Sequence, residues 1–217
     1  MKKQAIVLLM TVLGIVPAMA QNLNSSNGGY ETTREIDGKK FWVDYYEYEV
    51  DKTLDEAWAE VAGNFINVGD IHKSINESHC ESGDITEGEG ASRFCSINFN
   101  GKVLELKERI TEVKEKENRK EFTYEVYDNK GFPAKVYNTW VVRVGDDGKT
   151  YLGNTFILRG NMAFLSGMMM KKLAKLGGLR NAVLGYVHYL ETGEKKADPA
   201  VFERLYPEPE DVMLNKN

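Results

Sequence analysis

The chain has 217 residues and a formal charge of −5, with 28 Lys and Arg against 33 Asp and Glu. That balance argues against a nucleic-acid partner, since neutralising phosphates needs a basic surface, and the one short basic cluster is Lys171, Lys172 and Lys175. The length fits a single domain that can bury a core without covalent staples.

Met1–Ala20 has the parts of a cleavable secretory signal in order. Lys2 and Lys3 are followed by the apolar run Ala5–Val16, and Pro17-Ala18-Met19-Ala20 ends in a small-x-small pattern before Gln21. The run is short for a bilayer span, which needs about 20 apolar residues. No later stretch is longer, so no transmembrane segment is expected after cleavage. The expectation is an exported protein, periplasmic or secreted, cleaved after Ala20. Residues 21–40 are polar and rich in Asn, Ser and Gly, and read as a flexible leader.

Residues 41–191 carry the folded pattern. Phe41–Val50 reads as a first strand. Thr53 and Glu56 form a capping box for a helix with Leu54, Ala57, Trp58 and Val61 at helical spacing, ended by Gly63. Asn64–Ile75 reads as a short second helix or turn. The period then switches to two, predicting six strands: Glu77–Gly83, Ala91–Asn100, Lys102–Lys114, Lys120–Asp128, Lys135–Val144 and Thr150–Arg159. Asn100-Gly101 fits a tight hairpin, and connections this short force antiparallel pairing. Asn161–Glu191 is predicted as one long final helix. Residues 192–217 read as a polar tail, with Phe202, Leu205 and Tyr206 available to dock on the body. The sum is an α+β arrangement, a seven-stranded antiparallel sheet that only the final helix is long enough to cover.

Several motifs accompany that order. They are Leu54-Asp55-Glu56-Ala57-Trp58, Phe65–Ile75, Gly88-x-Gly90-x-x-Arg93, Glu108-Arg109, Tyr124-x-Val126 and Pro133-x-x-x-Tyr137-x-x-Trp140. Together they resemble the START/Bet v 1-like (SRPBCC) superfamily, in its polyketide cyclase/dehydrase-like branch. The chain departs from that pattern at Ile71-His72-Lys73, where the branch often has Trp-His-Pro. The resemblance implies a helix-grip fold, in which a curved sheet wraps the long C-terminal helix and encloses an apolar cavity. Members bind lipids, sterols, plant hormones or polyketides, and a minority are enzymes.

Alternation assigns the strand faces. The predicted cavity set is Arg93, Ile97 and Phe99; Leu106 and Glu108; Phe122 and Tyr124; Tyr137 and Thr139; and Asn154 and Phe156, with Leu165, Met169 and Leu173 from the helix. The resemblance likewise points Glu108 and Tyr137 inward. These residues either line a ligand site, being apolar with a few polar anchors, or fill a solid core. Glu108 on an apolar face is expensive unless paired, and an ion pair with Arg93 is its simplest explanation. Met162, Met168, Met169 and Met170 serve either ordinary helix packing or an adaptable wall.

The leading expectation is an exported protein holding an apolar, lipid-like small molecule. The alternative is a cyclase/dehydratase-like enzyme with Glu108 or His72 as general base. No nucleotide loop, nucleophile elbow or metal-ligand spacing occurs around His72, His79 and His188, so neither cofactor nor metal is expected. Cys80 and Cys95 fall on two arms of a hairpin and are either a disulfide or two free thiols.

Overall fold

The computed structural model describes residues 30–36, 38–99, 101–129, 134–160 and 178–206. Among them are eight strands: β1 (Tyr30–Ile36), β2 (Lys39–Val50), β3 (Ile75–Cys80), β4 (Ser92–Phe99), β5 (Lys102–Lys116), β6 (Arg119–Asn129), β7 (Ala134–Val144) and β8 (Thr150–Gly160). They form one antiparallel sheet in the order β1-β2-β8-β7-β6-β5-β4-β3. Helix α1 (Leu54–Gly63) and a 3-10 turn (Val68–Asp70) lie between β2 and β3. Helices α2 (Gly178–Thr192) and α3 (Pro199–Leu205) follow β8. This is the expected α+β helix-grip arrangement.

Three sequence expectations are corrected. Residues 30–36, read as part of a flexible leader, pair with β2 from Tyr30↔Tyr45 to Ile36↔Lys39 and add an eighth strand. Their polar composition hides a strand that exists because the outer edge of β2 offers unpaired backbone groups. The third strand begins at Ile75 and ends at Cys80, earlier than Glu77–Gly83. The polar tail contains α3, capped by Asp198, which accepts from the Ala200 amide at 3.0 Å.

Local chemistry explains the elements. Thr53 and Glu56 make the reciprocal capping box at the start of α1. β4 and β5 close a two-residue turn with Gly101 at φ 77°. Irregularities at Lys107/Glu108 and Ile110/Glu112 interrupt the β5–β6 ladder, and such bulges bend and twist a strand. Helix α2 buries an unbroken run from Val183 to His188, as a helix gripped by a curved sheet must. Tyr186 is its largest fully buried side chain. The helix ends at Gly193, whose positive φ supports a left-handed cap with its amide donating to Tyr189 O at 2.8 Å.

Candidate functional site

A cavity of about 430 Å³ lies between the concave face of the sheet, α2 and the loop after the 3-10 turn. One buried water needs only about 10–15 Å³ of such space, so this volume is far larger than a site for a few waters. The walls follow from pairing. Val136, Asn138 and Trp140 of β7 stand opposite Val126, Tyr124 and Phe122 of β6, and Asn138 and Trp140 stand opposite Phe156 and Asn154 of β8. Leu104, Leu106 and Glu108 of β5 and Arg93, Cys95 and Ile97 of β4 continue the concave face. Helix α2 contributes Leu179, Asn181, Ala182 and Gly185, and the far wall is Ala197, Pro199 and Phe202. Exposed Lys73, Ser74, Asn98 and Gly178 mark where the lining reaches solvent.

The C-terminal wall is tied to the loop. Lys73 pairs with Asp198, and the Lys196 amide donates to Ile71 O at 2.9 Å. Arg180 donates from Nε to the Tyr48 hydroxyl at 3.1 Å and also to the Tyr206 carbonyl, joining β2, α2 and the segment after α3.

Of the expected lining residues, Arg93, Ile97, Leu106, Glu108, Tyr124, Asn154 and Phe156 line the cavity. Phe122 shares their face but sits deeper in the core, against Trp58 and Phe65. Leu165, Met169 and Leu173 lie outside the described residues, as do the signal segment, the Lys171, Lys172 and Lys175 cluster and the remaining helix methionines. The side chain of Phe99 also lies outside them.

Tyr137 and Thr139 are corrected. They face away from the cavity, Tyr137 packing with Phe41, Val43 and Ile157 and Thr139 Oγ1 meeting Thr123 Oγ1 at 2.9 Å. Both faces of β7 are rich in apolar side chains, so alternation alone leaves its orientation open. Register with β6 puts the even-numbered residues inside. Asn138, Trp140 and Asp44 are therefore lining residues that periodicity did not single out.

The disulfide alternative is also corrected: Cys80 and Cys95 are free. Cys80 stands opposite Arg93 and Cys95 opposite Ser78, one diagonal out of register. Cys95 Sγ lies 3.6 Å from Ser78 Oγ and 3.7 Å from Glu108 Oε2. Burial pushes its thiol up to about 11, so it stays protonated and unreactive. A thiol-directed reagent should modify Cys80 alone in the native protein and both cysteines in denaturant. Equal native reactivity, or an intact mass lacking two hydrogens, would contradict this arrangement.

Inside the site, Arg93 and Glu108 form a buried pair at 2.6 Å, each about 5% exposed in its side chain. Arg93 also donates to the Phe65 carbonyl and lies 4.2 Å above the Phe65 ring and 5.2 Å from that of Tyr124. Burial opposes its charge, but the Glu108 carboxylate holds the guanidinium above its ordinary range. His72 is pushed down to about 3 by burial and then by Arg93, so it is neutral at physiological pH. Its ring packs against Gly185 so closely that a Cβ there would meet Nδ1 at 2.6 Å. Glycine is what lets α2 approach this near. Tyr124, raised mainly by burial, accepts a hydrogen bond from Trp140.

This chemistry suits holding a molecule more than abstracting its proton. The Glu108 carboxylate is engaged by Arg93, and a histidine held near 3 is a weak base at neutral pH. Among the described residues no group of three or more His, Cys, Asp or Glu is placed to hold a metal ion, and no helix is long and apolar enough to cross a membrane.

No family model matches the chain, and no curated protein matches it by sequence. Solved structures do match. A hypothetical protein from Helicobacter pylori is 12% identical with a TM-score of 0.51, covering 69% of this chain and 86% of its own. A major latex-like protein from Panax ginseng is 13% identical with a TM-score of 0.51, covering 68% and 97%. A Thalictrum norcoclaurine synthase variant, solved with a transition-state analogue, is 14% identical with a TM-score of 0.51, covering 74% and 96%. At these identities the likeness is one of fold.

Proposed function

From a chain that has the helix-grip fold of the START/Bet v 1-like superfamily, we propose an exported binding protein that holds an apolar, lipid-like small molecule between the sheet and the C-terminal helix. The observation that carries this reading is the cavity of about 430 Å³, within the roughly 300–1,000 Å³ range of small-molecule sites. Its walls are mainly aliphatic and aromatic, with a few buried polar groups to orient a ligand. Desolvation of the ligand's apolar surface supplies the affinity, at roughly 25 cal/mol per Å² buried. The norcoclaurine synthase variant of the same fold was solved with a small molecule, a transition-state analogue, which supports a small-molecule site here. Export rests on the pattern of Met1–Ala20, and would place an apolar carrier where such molecules must cross water.

The test is mass spectrometry of the full chain expressed in a host with a secretory pathway. The expected mature protein starts at Gln21 and releases a co-purified apolar molecule on denaturation. Ala182 lines the cavity, so Ala182→Trp should fill it and reduce uptake of an environment-sensitive apolar dye at least tenfold. A chain that retains Met1–Ala20 after secretion would end the export reading. Unchanged dye uptake by Ala182→Trp would end the cavity reading.

A further inference from the structure

Among the described residues, His72 Nε2 and both amide atoms of Asn154 are buried without a hydrogen-bond partner. Both residues line the cavity, and they are 6% and 1% exposed. A relay of contacts joins them. The His72 ring lies 4.9 Å from the Tyr186 ring, which lies 4.9 Å from the Trp140 ring, and Trp140 pairs across the sheet with Asn154. Buried polar groups are almost always satisfied, so two orphans in the wall of an apolar cavity point to a polar group on the occupant.

The nature of that group follows from the donors and acceptors on offer. Asn154 needs a partner that accepts from Nδ2 and one that donates to Oδ1. A hydroxyl does both; a carbonyl only accepts. A carboxylate would enter a wall that already carries the Glu108 and Asp44 carboxyl groups. The Arg93 guanidinium is already engaged by Glu108 and the Phe65 carbonyl. An ammonium would face His72 and Asn154, both neutral, and neither of these groups compensates a buried charge.

We propose that the occupant is a neutral alcohol, an apolar body ending in a hydroxyl that His72 and Asn154 read together. The proposal rests on the cavity-binding reading above and specifies the ligand class of that site.

Displacement of an environment-sensitive apolar dye from the full chain, at pH 7.5, compares 1-decanol, decanoate and decylamine, which share a body and differ in the head. Decanol should displace at concentrations at least tenfold lower than the other two. Asn154→Leu should collapse that advantage to less than threefold and remove any rise in melting temperature caused by decanol. Because it deletes an unpartnered buried amide, it should also melt no lower than the parent when free of ligand. The proposal is overturned if decanoate or decylamine equals decanol, or if Asn154→Leu keeps the full advantage. Absence of dye binding by the parent chain overturns the cavity reading itself and the proposal with it, whereas displacement without head-group preference overturns the proposal alone.

Discussion

Replacing Arg93 with methionine should destabilise the protein by about 3–5 kcal/mol, the penalty for removing one partner of a buried ion pair. Glu108 would be left with a buried charge, a 3.7 Å contact from the Cys95 thiol and no cation beside it. The loss is local in origin and wide in effect. Arg93 also ties β4 to the Phe65 carbonyl and stacks over the Phe65 and Tyr124 rings, so it joins the sheet to the segment after α1. The double variant Arg93→Met with Glu108→Leu should recover at least about 2 kcal/mol of that loss, because it replaces the pair with apolar side chains of similar volume. Urea unfolding of the parent, both single variants and the double measures this. Equal losses in the single and double variants would mean that Arg93 acts through Phe65 and not through Glu108.

Acid should destabilise the protein through His72. In the unfolded chain its imidazole takes up a proton around pH 6.5. In the fold it resists protonation down to about 3. Between those values the unfolded state binds more protons, so stability is complete above about 6.5 and falls as pH falls toward 3. From pH 7 to pH 5 the contribution of this residue is about 2 kcal/mol of lost stability. The measurement is the difference between the parent and His72→Phe in urea midpoints across that range, which cancels the carboxylates common to both. The variant should show the shallower pH dependence; parallel curves would show that His72 takes up its proton in the fold just as it does in the unfolded chain. The same packing that excludes the proton leaves Nε2 without a partner inside the cavity.

Several lining positions were legible because one face of the strand is polar. On β5, Leu104, Leu106 and Glu108 alternate with Lys107 and Arg109, and only one set can face the core. The same holds for Arg93, Cys95 and Ile97 on β4 and for Tyr124 and Val126 on β6. β7 was not legible, since Tyr137 and Val141 are as apolar as Val136 and Trp140, and the convex face has its own buried cluster with Phe41 and Ile157. β1 was not legible either, because a polar edge strand depends on its neighbour's open backbone groups and not on its own pattern.

The sequence by itself determined the order of elements from β2 to α2, the capping of α1, the antiparallel hairpins and the faces of the strands that are polar on one side. All of these are local, set by residues within a few positions of one another. Tertiary structure decided which face of β7 looks inward, that Cys95 meets Ser78 and not Cys80, that Glu108 is held by Arg93, and that His72 and Asn154 line one cavity with polar atoms unpartnered. Those depend on strand register and on the approach of α2 at Gly185. They bring together segments far apart in the chain, and no local spacing encodes which of several chemically acceptable partners a side chain will meet.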